Sequence, residues 1–156
     1  GVPLDIIVRV LKAFKGVEHR IEFVRELDGV TYYNDSKGTN PDSSIKALEA
    51  MTKPTLIIAG GYDKHSEFDG FIDAFGGKVK LMVLIGTTAP QIEKTARAHG
   101  FDNIINTDSL ENAVQICHDN AVSGDVVLLS PACASWDMFK SYEERGRLFK
   151  EYVNRF

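Results

Sequence analysis

The sequence predicts an α/β domain, with a mostly parallel sheet flanked by helices and an antiparallel edge strand from an N-terminal hairpin. Three observations carry that prediction. Short apolar runs at 55–59, 81–85 and 126–129 have the length and composition of buried strands. Between them, apolar residues recur at helical spacing, and strand–helix alternation is the signature of βαβ units. Near the front, Asp28-Gly29 separates two β-rich runs, and both turn residues of a tight hairpin must tolerate positive φ.

Leu4, Ile7, Val8, Leu11 and Phe14 form a helical stripe over 3–14 that stops at Gly16. One helix cannot be a domain, so residues 1–15 are expected to be the tail of a preceding domain and 16–156 the domain itself. The hairpin follows, with strands over 21–27 and 30–33. Asn40-Pro41 starts a helix, with Asn as N-cap and Pro in the first turn. After the strand at 55–59, Phe68, Phe71, Ile72 and Phe75 stripe a helix. The strand at 81–85 leads to a helix over 88–99, with Thr88 and Gln91 as a capping box. A short strand at 103–106 precedes a helix striped by Leu110, Ala113, Val114 and Cys117, for which Asp108 is the expected N-cap. The last strand, 126–129, feeds a long closing helix marked by Phe139, Tyr142, Phe149, Val153 and Phe156.

At 156 residues the chain is large enough to bury a real core. Its net charge of −4 leaves no basic excess to neutralise phosphates, which argues against nucleic acid as a partner. No apolar run is long enough to span a bilayer and no signal peptide opens the chain, so neither membrane nor export is expected. Cys117 and Cys133 lack CxxC spacing, which suits a reducing compartment. The histidines form no metal-ligand pattern, and no metal site is expected here. The chain opens on Gly1 without Met and is expected to be a fragment of a longer protein.

In open α/β sheets, ligands bind beyond the carboxyl ends of the strands. That rule selects Asn34–Pro41, Gly60–Ser66, Gly86–Thr88 and Ser130–Asp137, all on one rim. Lys37 and Thr39 lie at a helix N-terminus, which favours anions. Gly60-Gly61 lets backbone approach a ligand, and Asp63-Lys64 follows. Ser135 lies in a loop of small residues that leaves room for a ligand. Each loop also has a plain reading: a capped connection, a tight turn with a surface ion pair, or close strand–helix packing. By spacing, Trp136 and Tyr142 read as core rather than site, Cys133 as a buried small residue and His65 as a solvated one. Together the loops favour an anionic small ligand, and no catalytic triad can be assembled from them.

His19-Arg20, the Asn34-Asp35-Ser36-Lys37-Gly38-Thr39-Asn40-Pro41 loop, Gly60-Gly61-Tyr62-Asp63-Lys64, the run from Leu128 to Phe139 and Tyr142-Glu143-x-Arg145-Gly146 resemble the C-terminal domain of the Mur ligases that add D-glutamate. The resemblance runs from about Gly16 to the end. It implies a Rossmann-like domain that closes over two others, in a cytoplasmic ATP- and Mg-dependent ligase. That ligase joins D-glutamate to UDP-N-acetylmuramoyl-L-alanine in peptidoglycan synthesis, through an acyl phosphate. By position, Arg20, Asp35 and Lys37 are expected at ATP, with Arg20 on the phosphates and Asp35 on the ribose. Lys37, Thr39, Lys64, Ser135 and Tyr142 are expected at D-glutamate. The P-loop and most magnesium ligands are expected in the enzyme's own central domain, so the isolated chain should be inactive. Gly38 stands where Ala is frequent and is expected to loosen its loop. Trp136 replaces a smaller residue of some members. The alternatives are another Mur-type or folylpolyglutamate ligase, or a stand-alone anion- or nucleotide-binding module.

Overall fold

The computed structural model describes residues 1–13, 16–62 and 65–156. Helix α1 (Leu4–Ala13) comes first, and it leaves Leu4 and Val10 exposed rather than packed in the core. Strands β1 (Glu22–Leu27) and β2 (Val30–Asn34) form the expected hairpin. Asp28 (φ 52°) and Gly29 (φ 78°) both take the left-handed conformation that such a turn requires. Then follow α2 (Pro41–Ala50), β3 (Thr55–Gly60), α3 (Asp69–Asp73), β4 (Val79–Ile85), α4 (Ala89–Ala98), β5 (Ile104–Asn106), α5 (Leu110–Asn120), β6 (Val126–Leu129) and α6 (Tyr142–Val153).

The strands pair in the order β1-β2-β6-β3-β4-β5. Only the β1–β2 pair at the edge is antiparallel; the others are parallel. β3 is buried along its whole length because both faces of the sheet are covered. Its Ile57 and Ala59 join the layer of Leu48, Phe71, Met82 and Ile92, beneath α2, α3 and α4. Its Leu56 and Ile58 join Leu110, Val114, Phe149 and Val153, beneath α5 and α6. This period-two division makes the continuous apolar run at 55–59 a central strand.

Four local expectations need correction. The capping box at α4 does not form: the Thr88 hydroxyl donates to the Gly61 carbonyl, and the Gln91 amide donates to Ser66 O. α5 is capped by Ser109, whose Oγ accepts from Asn112 N, while Asp108 accepts from the Asn112 side chain. The stripe at 68–75 encloses a helix of only five residues. Phe139 and Phe156 flank α6 rather than belonging to it.

Candidate functional site

Because β2, β6, β3 and β4 are parallel, their carboxyl ends deliver four loops to one rim. The first loop is fixed by its own polar groups and by the His19 carbonyl. Asn34 Oδ1 accepts from Ser36 N at 3.1 Å, Gly38 N donates to Asp35 O at 2.8 Å, and Lys37 N donates to His19 O at 3.0 Å. Asn40 then caps α2, its side chain accepting from Ser43 N at 2.9 Å.

The Asp35 carboxylate points inward. Its Oδ1 accepts from Ile21 N at 3.2 Å and its Oδ2 from Ser130 Oγ at 2.7 Å. Burial pushes its pKa up to about 6, against the Ser130 and Ile21 hydrogen bonds and the Arg20 and Arg145 charges that pull it down. Ser44 Oγ, on α2, lies 2.8 Å from Ser130 Oγ and accepts from Ala132 N at 3.0 Å. A buried net of hydroxyls and one carboxylate thus ties the first loop to the last. Gly38 sits against it: a Cβ there would lie 2.6 Å from Asp35 Oδ2, 2.9 Å from Ser44 Oγ and 3.0 Å from Ser130 Oγ. Gly38 itself is buried and closely packed.

The loop after β3 is stitched to the loop after β6. Tyr62 N donates to Ala134 O at 2.9 Å, and Ala134 N returns a bond to Tyr62 O at 3.0 Å. Asp137 joins the loop after β4, its Oδ2 accepting from Thr87 N at 2.9 Å.

Above this base lies a cleft of about 300 Å³, lined by Thr39, Ala134, Ser135, Trp136, Ser141, Tyr142 and Glu143. Three of the five residues expected at the amino acid, Thr39, Ser135 and Tyr142, meet here from distant positions in the chain. Lys37 belongs beside them, its Nζ 5.5 Å from the centre of the Tyr142 ring. α6 begins at this wall, its first turn capped by Ser141 through Glu144 N. Arg20 is exposed, on the segment leading into the hairpin. Lys64 and its neighbour Asp63 lie outside the described residues.

Trp136 is 61% exposed, which corrects its reading as core; its ring packs against Tyr62 with centroids 5.8 Å apart. Cys133 is buried and His65 exposed, as expected. Among the described residues, Glu18, His19 and Glu22 are the one group that could gather round a metal ion. The Lys150 ammonium already sits there, 2.8 Å from Glu18 Oε1 and 3.0 Å from Glu22 Oε1. A cation, the side chain's own, is thus already in place between the two carboxylates.

Sequence reasoning gave Arg145 no role. It is fully buried and bonded to the loops on both sides of the cleft. The available signal was Gly146, a helix-breaking residue in the middle of α6. It is there because any Cβ would run into the His19 ring.

The family model described as "Mur ligase, glutamate ligase domain" matches residues 19–133, and the chain belongs to that family. A UDP-N-acetylmuramoylalanine–D-glutamate ligase of Lachnospira eligens is 62% identical over 99% of this chain. The ligase of the same name in Clostridioides difficile is 53% identical over 98%. The chain spans about a third (34%) of the length of these relatives. Among solved structures, the Thermotoga maritima UDP-N-acetylmuramate–alanine ligase superposes with a TM-score of 0.70 over 99% of this chain and 34% of its own. The Yersinia pestis bifunctional folylpolyglutamate synthase/dihydrofolate synthase superposes with 0.69 over 98% and 35%. At 15% and 14% identity, these two establish the fold alone.

Proposed function

We propose that this chain is the closing domain of the cytoplasmic, ATP- and Mg-dependent ligase that adds D-glutamate to UDP-N-acetylmuramoyl-L-alanine. The observation that carries the reading is the cleft in which Thr39, Ser135 and Tyr142 meet beside Lys37. It is supported by relatives 52–62% identical that bear the name of that ligase. Residues 1–15 belong to the end of the central domain in this reading, and α1's exposed apolar residues suit that assignment.

The acceptor is a dicarboxylate amino acid. Its carboxylates are held by the Lys37 ammonium, the Thr39 and Ser135 hydroxyls and Lys64, with Tyr142 as a wall. Charge-assisted hydrogen bonds of this kind contribute about 1.5–3 kcal/mol each. Held there, the acceptor's amine is presented to the activated L-alanine carboxyl supplied by the other domains. Arg20 reaches the phosphates of ATP, and closure keeps water from the activated carboxyl. Asp35 is oriented toward Ser130 and Ile21, so in this reading it shapes the loop beside the ribose it was expected to contact.

The test is ATP-dependent phosphate release by the full-length enzyme with D-glutamate, L-glutamate or diaminopimelate as acceptor. Turnover with D-glutamate alone is expected; preference for either of the others overturns the assignment. Lys64→Ala is expected to raise the KM for D-glutamate with a smaller effect on ATP, and an unchanged KM removes Lys64 from the clamp.

A further inference from the structure

Arg145 is the largest fully buried side chain among the described residues, at 0% exposure. A buried guanidinium ordinarily faces a carboxylate. Here its partners are three carbonyls and one hydroxyl. Nε donates to Ser36 Oγ at 3.0 Å, and Nη2 donates to Ser36 O at 2.9 Å and Cys133 O at 3.2 Å. Nη1 donates to Cys133 O at 3.2 Å and Ala134 O at 3.4 Å. Those are five bonds for the five donors of the planar fork.

The partners are not scattered. Ser36 precedes Lys37 in the first loop, and Cys133 and Ala134 precede Ser135 in the last. Ser36 Oγ also donates to Tyr142 O at 2.7 Å, so the first turn of α6 is bound into the same knot. Ala134 is the residue that pairs with Tyr62. One side chain, carried by α6, therefore bonds the first loop and the last on the two sides of the cleft without lining it.

We infer that Arg145 is the positioning residue of the acceptor cleft, setting the separation of Lys37 and Thr39 from Ser135 and Tyr142. This rests on the proposed amino-acid cleft. Lysine cannot substitute, because its ammonium has three donors and no fork geometry. Burial lowers the Arg145 pKa to about 10, so the fork remains charged at neutral pH.

The test is the kinetics of the full-length ligase bearing Arg145→Lys, with Ser36→Ala as a milder second variant. Arg145→Lys is expected to raise the KM for D-glutamate about tenfold or more, while the KM for ATP changes less than about threefold. Ser36→Ala, which removes one acceptor and the bond to Tyr142 O, is expected to move the same KM by about three- to tenfold. Loss of active protein in Arg145→Lys with an unchanged D-glutamate KM in Ser36→Ala reduces Arg145 to a fold residue and overturns the inference. So does an equal change in the ATP and D-glutamate KM values. A wild-type enzyme with no D-glutamate-dependent turnover overturns the underlying cleft assignment instead, which keeps the two failures apart.

Discussion

The two rims of this sheet carry clefts of similar size but opposite construction. On the carboxyl-end rim, the cleft of about 300 Å³ rests on buried polar groups: Asp35, Ser44, Ser130 and Arg145, each bonded across loops distant in sequence. On the other rim, Phe75, Gly76, His99, Gly100 and Phe101 line a cleft of about 250 Å³. Its polar groups are at the surface, where His99 bridges Asp69 at 2.9 Å and Asp73 at 2.8 Å. Buried polar networks cost desolvation and repay it only when fully satisfied, so they fix one geometry. Exposed ion pairs are screened and fix little. Ordinary helix endings close one rim, and buried polar bonds hold the loops of the other in register.

Four substitutions sharpen or break that contrast. The largest effect is expected from Gly38→Ala, whose Cβ must displace Asp35, Ser44 or Ser130 side chains that already hold one another. A loss of about 1–3 kcal/mol in urea unfolding is expected for overpacking of this kind. An unchanged midpoint would show that the net is soft. Ser44→Ala comes next, because it leaves the buried Ala132 N–H without its acceptor. About 1–2 kcal/mol is expected, read from the same unfolding curves.

Asp35→Asn tests the net through pH. A carboxyl raised from 3.8 to about 6 favours the folded state in its protonated form. Its contribution is complete below the unfolded value and is lost as pH rises through about 6. Subtracting Asp35→Asn from wild type across roughly pH 4 to 7 is expected to reveal that fall. A flat difference removes the burial argument.

The smallest effect is expected from His99→Gln. The Asp69 and Asp73 hydrogen bonds raise the His99 pKa, so its contribution is present at acid pH and disappears as pH rises through the raised value. Molar salt should erase the His99 difference and leave the Asp35 difference in place, because exposed pairs are screened and buried ones much less so. Equal salt sensitivity at both rims would end the comparison.

Local chemistry with a period or a turn was legible in the sequence. The Asp28-Gly29 hairpin, the Asn40 cap, the strand at 55–59 and the rim of loops all follow from spacing and from the limits on positive φ. Long-range polar pairing was not legible. Thr88 and Gln91 have the spacing of a capping box, yet both turn to carbonyls of another loop. Ser44, on α2, bridges to Ser130, and Arg145, on α6, is a fully buried anchor. Such roles depend on which loops the topology brings together, and one chain's spacing carries no mark of that. Trp136 was misjudged for a related reason. Helical spacing of the aromatics after it suggested a core position, but the chain from 130 to 141 is a loop that turns the ring outward.

The most direct test of an acceptor site on the carboxyl-end rim is the D-glutamate KM of the full-length ligase in Ser135→Ala beside that in His99→Ala. Ser135→Ala is expected to raise it about tenfold with the ATP KM within about twofold, and His99→Ala to leave both unchanged. An unchanged D-glutamate KM in Ser135→Ala, or an equal rise in His99→Ala, would contradict the assignment of that cleft.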